Sequence, residues 1–141
     1  MASNFQLSEA VRNAMLDVFE SVPGNSCALE IRSGAQPANC AAASTGTILA
    51  TINLPADWMN AASTGSKTKL GTWQDASADN PGTAAHFRIY NNQTTKDGST
   101  CFCQGTVGLS GDSPDMVLDA VVFTAGQQFT ITTFTLTAPS A

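Results

Sequence analysis

The sequence predicts a mainly β protein with one helix, and three observations support this class. Only one stretch has the three-to-four-residue period of an amphipathic helix, and it lies near the N-terminus. After it, short runs of apolar and β-branched residues alternate with turns rich in Gly, Pro, Asn and Asp. A length of 141 residues is that of one domain. We therefore expect one β-sandwich domain over residues 1–141, of the jelly-roll or immunoglobulin type.

The helix is predicted over residues 7–22. Ser8 is suited to be its N-cap, because a serine hydroxyl accepts a hydrogen bond from a free N–H of the first turn, and Glu9 matches the helix dipole. Pro23 and Gly24 end the helix. We expect its apolar stripe to cover one end of the β core, with docking on a partner as the alternative. The stripe consists of Leu7, Val11, Ala14, Met15, Val18, Phe19 and Val22.

About seven strands are predicted after Gly24, and their number favours a sandwich over a barrel. In the run 84–90 apolar and polar residues alternate, so Phe87 is expected on a buried face and His86 on an exposed one. The pair Asp97-Gly98 predicts a hairpin between this run and the next. The predicted strands are 27–32, 47–53, 67–72, 84–90, 100–109, 116–123 and 128–137.

Charge and composition exclude two classes of partner. The six Lys and Arg residues are scattered and the net charge is −5, whereas nucleic-acid binding needs clustered cations, so no nucleic-acid partner is expected. No run of 18 apolar residues is present, so no membrane span is expected. The N-terminal sequence does not read as a secretory signal, which predicts folding in a cytoplasm.

Charged residues make up only 12% of the chain, about half of the usual ~25%. The surface must then be covered largely by Thr, Ser, Asn, Gln and Ala. Such a surface costs little to desolvate against a neighbour, which suits a protein that belongs to a large assembly. A neutral extracellular-type β domain is the alternative interpretation.

The four cysteines are interpreted as buried free thiols. Cys101 and Cys103 are two apart in a strand-like run, which would place both on the apolar core face. Cys27 begins another apolar run, and Cys40 lies in a loop of small residues. A disulfide such as Cys27 with Cys40, or a metal site, are the alternatives, although no spacing matches a CxxC motif.

Catalytic chemistry is not indicated by the residues. His86 is the only histidine and is expected at the surface, without a nucleophile beside it. The acidic run at 108–119 lacks the spacing of a calcium loop. Glu9, Glu20 and Glu30 lie in or beside the helix and first strand, away from the loops where paired carboxylates would act. Neither GxGxxG nor a P-loop occurs, so no enzyme activity, cofactor or metal is expected.

Two regions are the candidate partner-binding surfaces. Residues 1–6 form a polar arm too short to fold alone, and such arms gain order by docking. The segment 55–82 is the least regular part of the chain, a long loop rich in Ala, Ser, Thr, Asn and Asp. It contains two tryptophans, whose alternative role is to pack beneath it. The candidate partner-binding residues are Phe5, Leu7, Trp58 and Trp73.

Several runs resemble a group of small virion proteins of tailed bacteriophages. That group reads roughly L-x-I-Y-x-G-x-x-P-A and then a TGT-L-L-A strand; here LEIRSGAQPA stands at 29–38 and STGTILAT at 44–51. GTAAHFRIY at 82–90 looks like the group's central strand, and AVVFTAGQQFTITTFTL at 120–136 looks like its closing hairpin. Arg32 departs from the pattern, since an aromatic residue is more usual there, and so do the four cysteines.

The resemblance implies a capsid decoration or cement protein, made in the host bacterial cytoplasm and bound to the outer surface of the head. Its partners would be the major capsid protein and itself, as a homo-oligomer with a trimer favoured over a dimer. Bridging capsid subunits would help the shell to resist the pressure of packaged DNA. The first rival is a tail or fibre protein whose Trp58, Trp73 and Tyr90 stack on sugars. The second is a cell-wall enzyme, against which the missing catalytic set argues.

Overall fold

The fold is mainly β with one helix, as expected from the sequence, in a computed structural model that describes residues 4–140. Residues 1–3 of the predicted arm lie outside this range. Helix α1 spans Glu9–Ser21. The ten strands are β1 Ala28–Arg32, β2 Ile48–Asn53, β3 Ser66–Thr68, β4 Gln74–Asp75, β5 Gly82–Thr83, β6 His86–Tyr90, β7 Cys101–Gly108, β8 Met116–Leu118, β9 Val122–Phe123 and β10 Phe129–Thr137.

Helix α1 begins and ends where its capping residues predict. The Ser8 hydroxyl accepts a hydrogen bond from the Val11 N–H at 3.3 Å, which satisfies one donor of the first turn. At the other end the Val22 N–H still bonds the Val18 carbonyl, and Gly24 then takes φ +88°. Glycine reaches this left-handed conformation without steric cost, so the chain leaves the helix there.

The strands form one curled, mixed sheet that resembles half of a barrel, beside a separate pair β5–β9. The order along the sheet is β2-β1-β6-β7-β8-β10-β3, and β4 also pairs with β10. Only β7 and β8 run parallel. The curl brings β2 near β4, where the Thr51 N–H donates to Asp75 Oδ2 at 3.0 Å. A two-layer sandwich is not confirmed, because seven strands follow a single hydrogen-bonded path.

The predicted hairpin is confirmed, since β6 and β7 are antiparallel neighbours. Asp97 Oδ1 accepts from the Ser99 N–H at 2.8 Å and so shapes the turn that precedes β7. The predicted run 116–123 instead divides into the strands β8 and β9. These two strands pair with different parts of the molecule, β8 with β7 and β10, and β9 with β5.

Aromatic residues fill the concave side of the sheet. Trp58 and Trp73 are fully buried, with ring centroids 6.1 Å apart, and Trp73 lies 5.9 Å from Phe134. Burying each large apolar side chain stabilises the fold by roughly 1.5–3 kcal/mol. The loop 55–82 is therefore held to the core by its two tryptophans.

The other face of β1 and β6 is also covered, and this corrects the prediction for His86. His86 is only 1% exposed, because the segment 33–47 folds over this face. Its Nδ1 lies 3.0 Å from the Gly34 carbonyl oxygen. Burial lowers the pKa of His86, and the nearby Arg32 and Arg88 charges act in the same direction. The histidine is thus part of a buried polar layer.

The cysteines are free thiols, but two details of their prediction are wrong. A β-bulge places Cys101 opposite Tyr90, and only Cys103 packs against the apolar core, so the two do not share the core face. Cys27 donates to the Gly24 carbonyl at 3.4 Å, whereas Cys40 lies beside Cys101. The suggested pair of Cys27 and Cys40 is therefore not brought together.

Candidate docking surface on helix α1

Helix α1 is attached to the protein through its polar face. Three side chains on this face accept hydrogen bonds from backbone N–H groups of the loop that precedes β3. Glu20 Oε1 accepts from Met59 at 3.1 Å, Asp17 Oδ1 from Ala62 at 2.8 Å, and Asn13 Oδ1 from Gly65 at 2.9 Å. Each bond satisfies a loop N–H that would otherwise need water, so the loop and the helix fix each other.

A buried lysine reinforces this attachment. Lys67 of β3 is 2% exposed, and its Nζ lies 2.9 Å from Asp17 Oδ1 and 3.0 Å from Glu20 Oε2. Hydrogen bonds from Lys67 and from the Ala62 N–H lower the pKa of Asp17. Burial alone would lower the pKa of Lys67, but its bonds to the two carboxylates outweigh burial, and its pKa is raised.

Two apolar side chains complete the inward face of α1. Leu16 is 8% exposed and is the buried residue of the helix. Phe19 packs with ring centroids 5.6 Å from Trp58 and 5.5 Å from Phe102. Trp58, which belongs to the loop 55–82, thus packs beneath the helix and supports it.

The remaining apolar stripe of α1 faces outward. Val11, Met15, Val18 and Val22 are 46%, 50%, 51% and 76% exposed. Their spacing of four, three and four places them on one side of the helix, where Ala14 is exposed as well. The prediction that the stripe covers the β core is therefore wrong for these residues. Contiguous exposed apolar side chains of this kind mark interaction surfaces.

The four predicted partner-binding residues are separated by the structure. Phe5 is 67% exposed, and Leu7 is half-buried, with its N–H bonded to the Ser140 carbonyl at 2.8 Å. Trp58 and Trp73 have no exposed surface. Both rings belong to the core and their indole N–H groups bond backbone carbonyls, so neither presents an exposed surface to a partner.

The three aromatic residues proposed to stack on sugars are all buried. They are Trp58, Trp73 and Tyr90, and Tyr90 is also fully buried, with its hydroxyl bonded to Glu30 at 2.8 Å. None of the three rings offers a face on which a sugar could stack. The burial of these rings therefore removes the observation on which the rival interpretation, a carbohydrate-binding protein, relied.

A surface pocket of about 500 Å³ lies beside the polar face of α1. Three carboxylates line it, from Asp17, Glu20 and Asp57, together with the Lys67 ammonium. Two of the carboxylates share the single positive charge of Lys67, so one of their two negative charges is compensated. Among residues 4–140 no group of three or more His, Cys, Asp and Glu side chains is arranged to hold a metal ion.

Sequence reasoning missed the inward role of Asn13, Asp17 and Glu20. Their spacing of four and three does place them on one helix face, which is a readable signal. A polar face is normally assigned to solvent, however, and the bonding partners here are mostly backbone N–H groups, which every non-proline residue carries. The sequence therefore predicts that these three residues share one face of the helix, but not that this face points toward the protein interior.

In comparisons with known proteins, no family model, no curated protein sequence and no solved structure matches this chain. Within residues 4–140, no helix is long and apolar enough to cross a membrane.

Proposed function

We propose that this chain is a structural virion protein of a tailed bacteriophage, a capsid decoration protein that docks on the outside of the major capsid shell through the outward stripe of helix α1. The sequence resemblance at 29–51 and 82–136 suggests the class of protein. The exposed stripe is the observation that supports docking. Ion pairs and hydrogen bonds on the opposite face attach the helix to the protein, so the stripe stays exposed to water and is free to contact a partner. The protein would stabilise the shell by burying additional surface at the joints between capsid subunits, without catalysing a reaction.

The size of the stripe supports a shell as the partner. Its four side chains expose on the order of 400 Å² in all, about half of the ~800 Å² per partner that a stable interface buries. A contact of this size is weak in a simple pair of molecules. It becomes effective when one oligomer makes several such contacts with a repeating lattice, because the second and third contacts are intramolecular.

The low charge of the chain supports the same role. With 12% charged residues, the chain as a whole has few charges to desolvate against a neighbour, although helix α1 itself carries Glu9, Arg12, Asp17 and Glu20. We propose a homo-oligomer for the bound form, a trimer first and a dimer second. Sedimentation equilibrium of the purified protein distinguishes these states, and a strictly monomeric protein at 100 µM would contradict this part of the proposal.

The first experiment is a count of copies in the purified virion. Quantitative gel analysis and electron cryomicroscopy of the heads should find the chain in hundreds of copies on the outer surface. A few copies at the tail would instead identify a tail or fibre component. Absence from the virion would contradict the proposed function altogether.

The N-terminal arm has a separate test. Deleting residues 2–6 should weaken shell binding and leave the β core folded, because short terminal arms gain order by docking and this one carries the exposed side chain of Phe5. Heads carrying the truncated protein should burst at a lower temperature. If truncated protein fills the shell and protects it fully, the arm has no docking role and the interface lies on α1 alone or elsewhere.

A further inference from the structure

The segment 33–47, which covers the polar face of β1 and β6, is a compact loop whose two ends touch. Gly34 takes φ +80° and Gly46 takes φ +70°, and a Cβ atom on Gly46 would lie only 1.8 Å from the Ser33 carbonyl oxygen. The Ser33 N–H donates to the Thr47 carbonyl at 3.0 Å, which closes the base of the loop. These are the features of an Ω-loop, which leaves the sheet and returns to it at one point.

Side chains of the sheet hold this loop by its backbone. Four of them, from β1, β6 and β7, donate to loop carbonyls: His86 Nδ1 to Gly34 at 3.0 Å, Arg32 Nε to Thr45 at 2.9 Å, Gln104 Nε2 to Pro37 at 2.8 Å, and Arg88 Nη2 to Cys40. Pro37 is the one buried residue of the segment 33–47. Because polar bonds rather than apolar contacts attach the loop, it can open without breaking the sheet.

His86 lies under the loop between two guanidinium groups. Arg32 is its cross-strand partner on β1, and Arg88 lies two residues away on the same face of β6. Its Nδ1 faces the Gly34 carbonyl oxygen, which only accepts, so the neutral ring carries its proton there and a second proton would bind Nε2. Among residues 4–140 this Nε2 atom has no hydrogen-bond partner. A second proton would therefore be buried without an acceptor.

The carboxylates near this layer do not offset such a charge. Glu30 is 2% exposed, and its Oε1 lies 3.0 Å from Arg32 Nη1 and accepts from the Tyr90 hydroxyl at 2.8 Å. Asp115, which precedes β8, is exposed and accepts from the Thr106 N–H of β7 at 2.8 Å. The other titratable groups of the layer are a phenol and two thiols, from Tyr90, Cys40 and Cys101. Two guanidinium groups thus share one buried carboxylate before His86 is protonated.

We propose that the segment 33–47 is an acid-released strap, which opens when His86 takes up a proton at Nε2 and then exposes the polar layer of β1 and β6 to water. In the closed strap the new charge is buried beside two other cations, whereas in the open strap water hydrates it. The equilibrium therefore shifts toward the open strap as the pH falls. This inference does not depend on a role in a virion.

The titration of His86 supports this direction and sets the size of the effect. Burial lowers the pKa of His86, and the Arg32 and Arg88 charges lower it further, while the Gly34 bond acts in the opposite direction. Opening returns the ring to an ordinary pKa of about 6.5, so opening takes up a proton. The opening equilibrium constant should thus rise by up to about fourfold between pH 7.5 and pH 6.0.

Hydrogen exchange of the full chain, followed by NMR from pH 7.5 to pH 6.0, measures this opening. The reporters are the Arg32 Nε–H and Gln104 Nε2–H groups that hold the strap, and the Ile89 N–H of β6 reports unfolding of the sheet. Each rate is corrected for the exchange of the same group in an unstructured peptide at that pH. We expect the two strap reporters to open more readily than the sheet, and their opening to increase on acidification.

Two variants test the cause. In His86→Gln the side-chain amide can still donate to the Gly34 carbonyl but does not titrate, so the increase on acidification should disappear. In Gly46→Ala the added Cβ would collide with the Ser33 carbonyl, so the strap should stay open. The pKa of His86, followed through its ring C–H resonances, should then return toward 6.5 while the sheet stays folded.

Four results would overturn the proposal. They are strap opening that does not change with pH, strap reporters that exchange only when the Ile89 N–H does, an increase that persists in His86→Gln, and a folded Gly46→Ala protein in which the pKa of His86 is that of wild type. If His86→Gln does not fold, the wild-type profile and Gly46→Ala decide.

Discussion

Helix α1 and the curled sheet direct opposite kinds of side chain toward the interior. The concave side of the sheet contributes aromatic rings such as Trp73, Phe87 and Phe134. The helix contributes carboxylates and an amide, with Leu16 and Phe19 beside them, and leaves Val18 and its neighbours in water. The sheet is therefore organised by its own core, whereas the helix leaves an apolar outer face exposed to water.

The comparison teaches which forces act in each region. Apolar burial responds little to salt or pH, whereas ion pairs and carboxylate hydrogen bonds respond to both. Substitutions of apolar core residues in the sheet should thus lower stability equally in all buffers. Substitutions at the base of the helix should have effects that depend on ionic conditions.

The largest effect is expected for Phe134→Ala in β10. This ring is 3% exposed and contacts the rings of Phe19, Trp73 and Phe87, so its loss leaves a cavity at the centre of the core. The free energy of unfolding should fall by about 3–5 kcal/mol in urea titrations, equally at low and high salt. Thr135→Ala, the exposed neighbour in the same strand, is the matched control, with a change below about 0.5 kcal/mol.

Lys67→Met is expected to cost less, about 2–3 kcal/mol, since it leaves two carboxylates without their cation but one of them, Asp17, remains half-exposed. The control is Lys69→Met. The Lys69 ammonium makes no ion pair among residues 4–140; it bonds the Gly71 carbonyl at 3.0 Å and lies 6.0 Å from the centre of the Trp73 ring, and it should contribute below about 1 kcal/mol. Urea titrations at two salt concentrations measure both. Equal effects of the two substitutions would mean that ion pairs do not hold the helix.

A smaller effect separates the two regions by pH. The folded pKa of His86 is lowered below 6.5, so the unfolded chain binds the extra proton first, and stability present above pH 6.5 is lost as the pH falls toward the lowered value. The Asp17 pKa is lowered below 3.8, so stability from the helix attachment is lost only as the pH falls below that value.

Thermal unfolding between pH 7 and pH 3 measures these two windows. His86→Gln should flatten the profile as the pH falls below 6.5, and Asp17→Asn should leave that part of the profile unchanged. A profile that stays equally steep just below pH 6.5 in His86→Gln would show that another group titrates in the sheet.

Sequence-based prediction succeeds for features that depend on neighbouring residues and fails for features that depend on residues far apart in the chain. The ends of α1 and the β6–β7 hairpin depend on local residues, namely Ser8, Pro23, Gly24 and the Asp97-Gly98 turn. The hairpin is confirmed, and the helix predicted over 7–22 spans Glu9–Ser21 with Ser8 as its N-cap. The path of the sheet depends on pairing between distant segments, such as β1 with β6, which local patterns do not encode.

Burial of polar residues is the second source of error. His86 and Arg88 read as a solvent face because they alternate with apolar residues, but a loop of small residues covers them. Residues two apart in a regular strand share a face, but the β-bulge in β7 places Cys101 and Cys103 on different faces. The direction of α1 was missed because its polar face bonds mainly loop N–H groups, which carry no sequence signal.

The smallest expected effect on stability belongs to the stripe itself, and it tests the central claim, that this face of α1 docks on the shell. Val18→Glu changes a side chain that is 51% exposed, so the free energy of unfolding should change by less than about 0.5 kcal/mol. Val122→Glu is the matched control, since Val122 is 65% exposed and lies in β9, away from the helix.

The decisive measurement is co-sedimentation of wild-type, Val18→Glu and Val122→Glu protein with undecorated heads of the phage that the proposed function requires. The account predicts full occupancy for wild type and Val122→Glu, and at least a tenfold weaker affinity for Val18→Glu, because a carboxylate would be buried in an apolar contact. Equal occupancy by all three proteins would show that the stripe is not the docking surface. Failure of the wild-type protein to bind would contradict the decoration role itself.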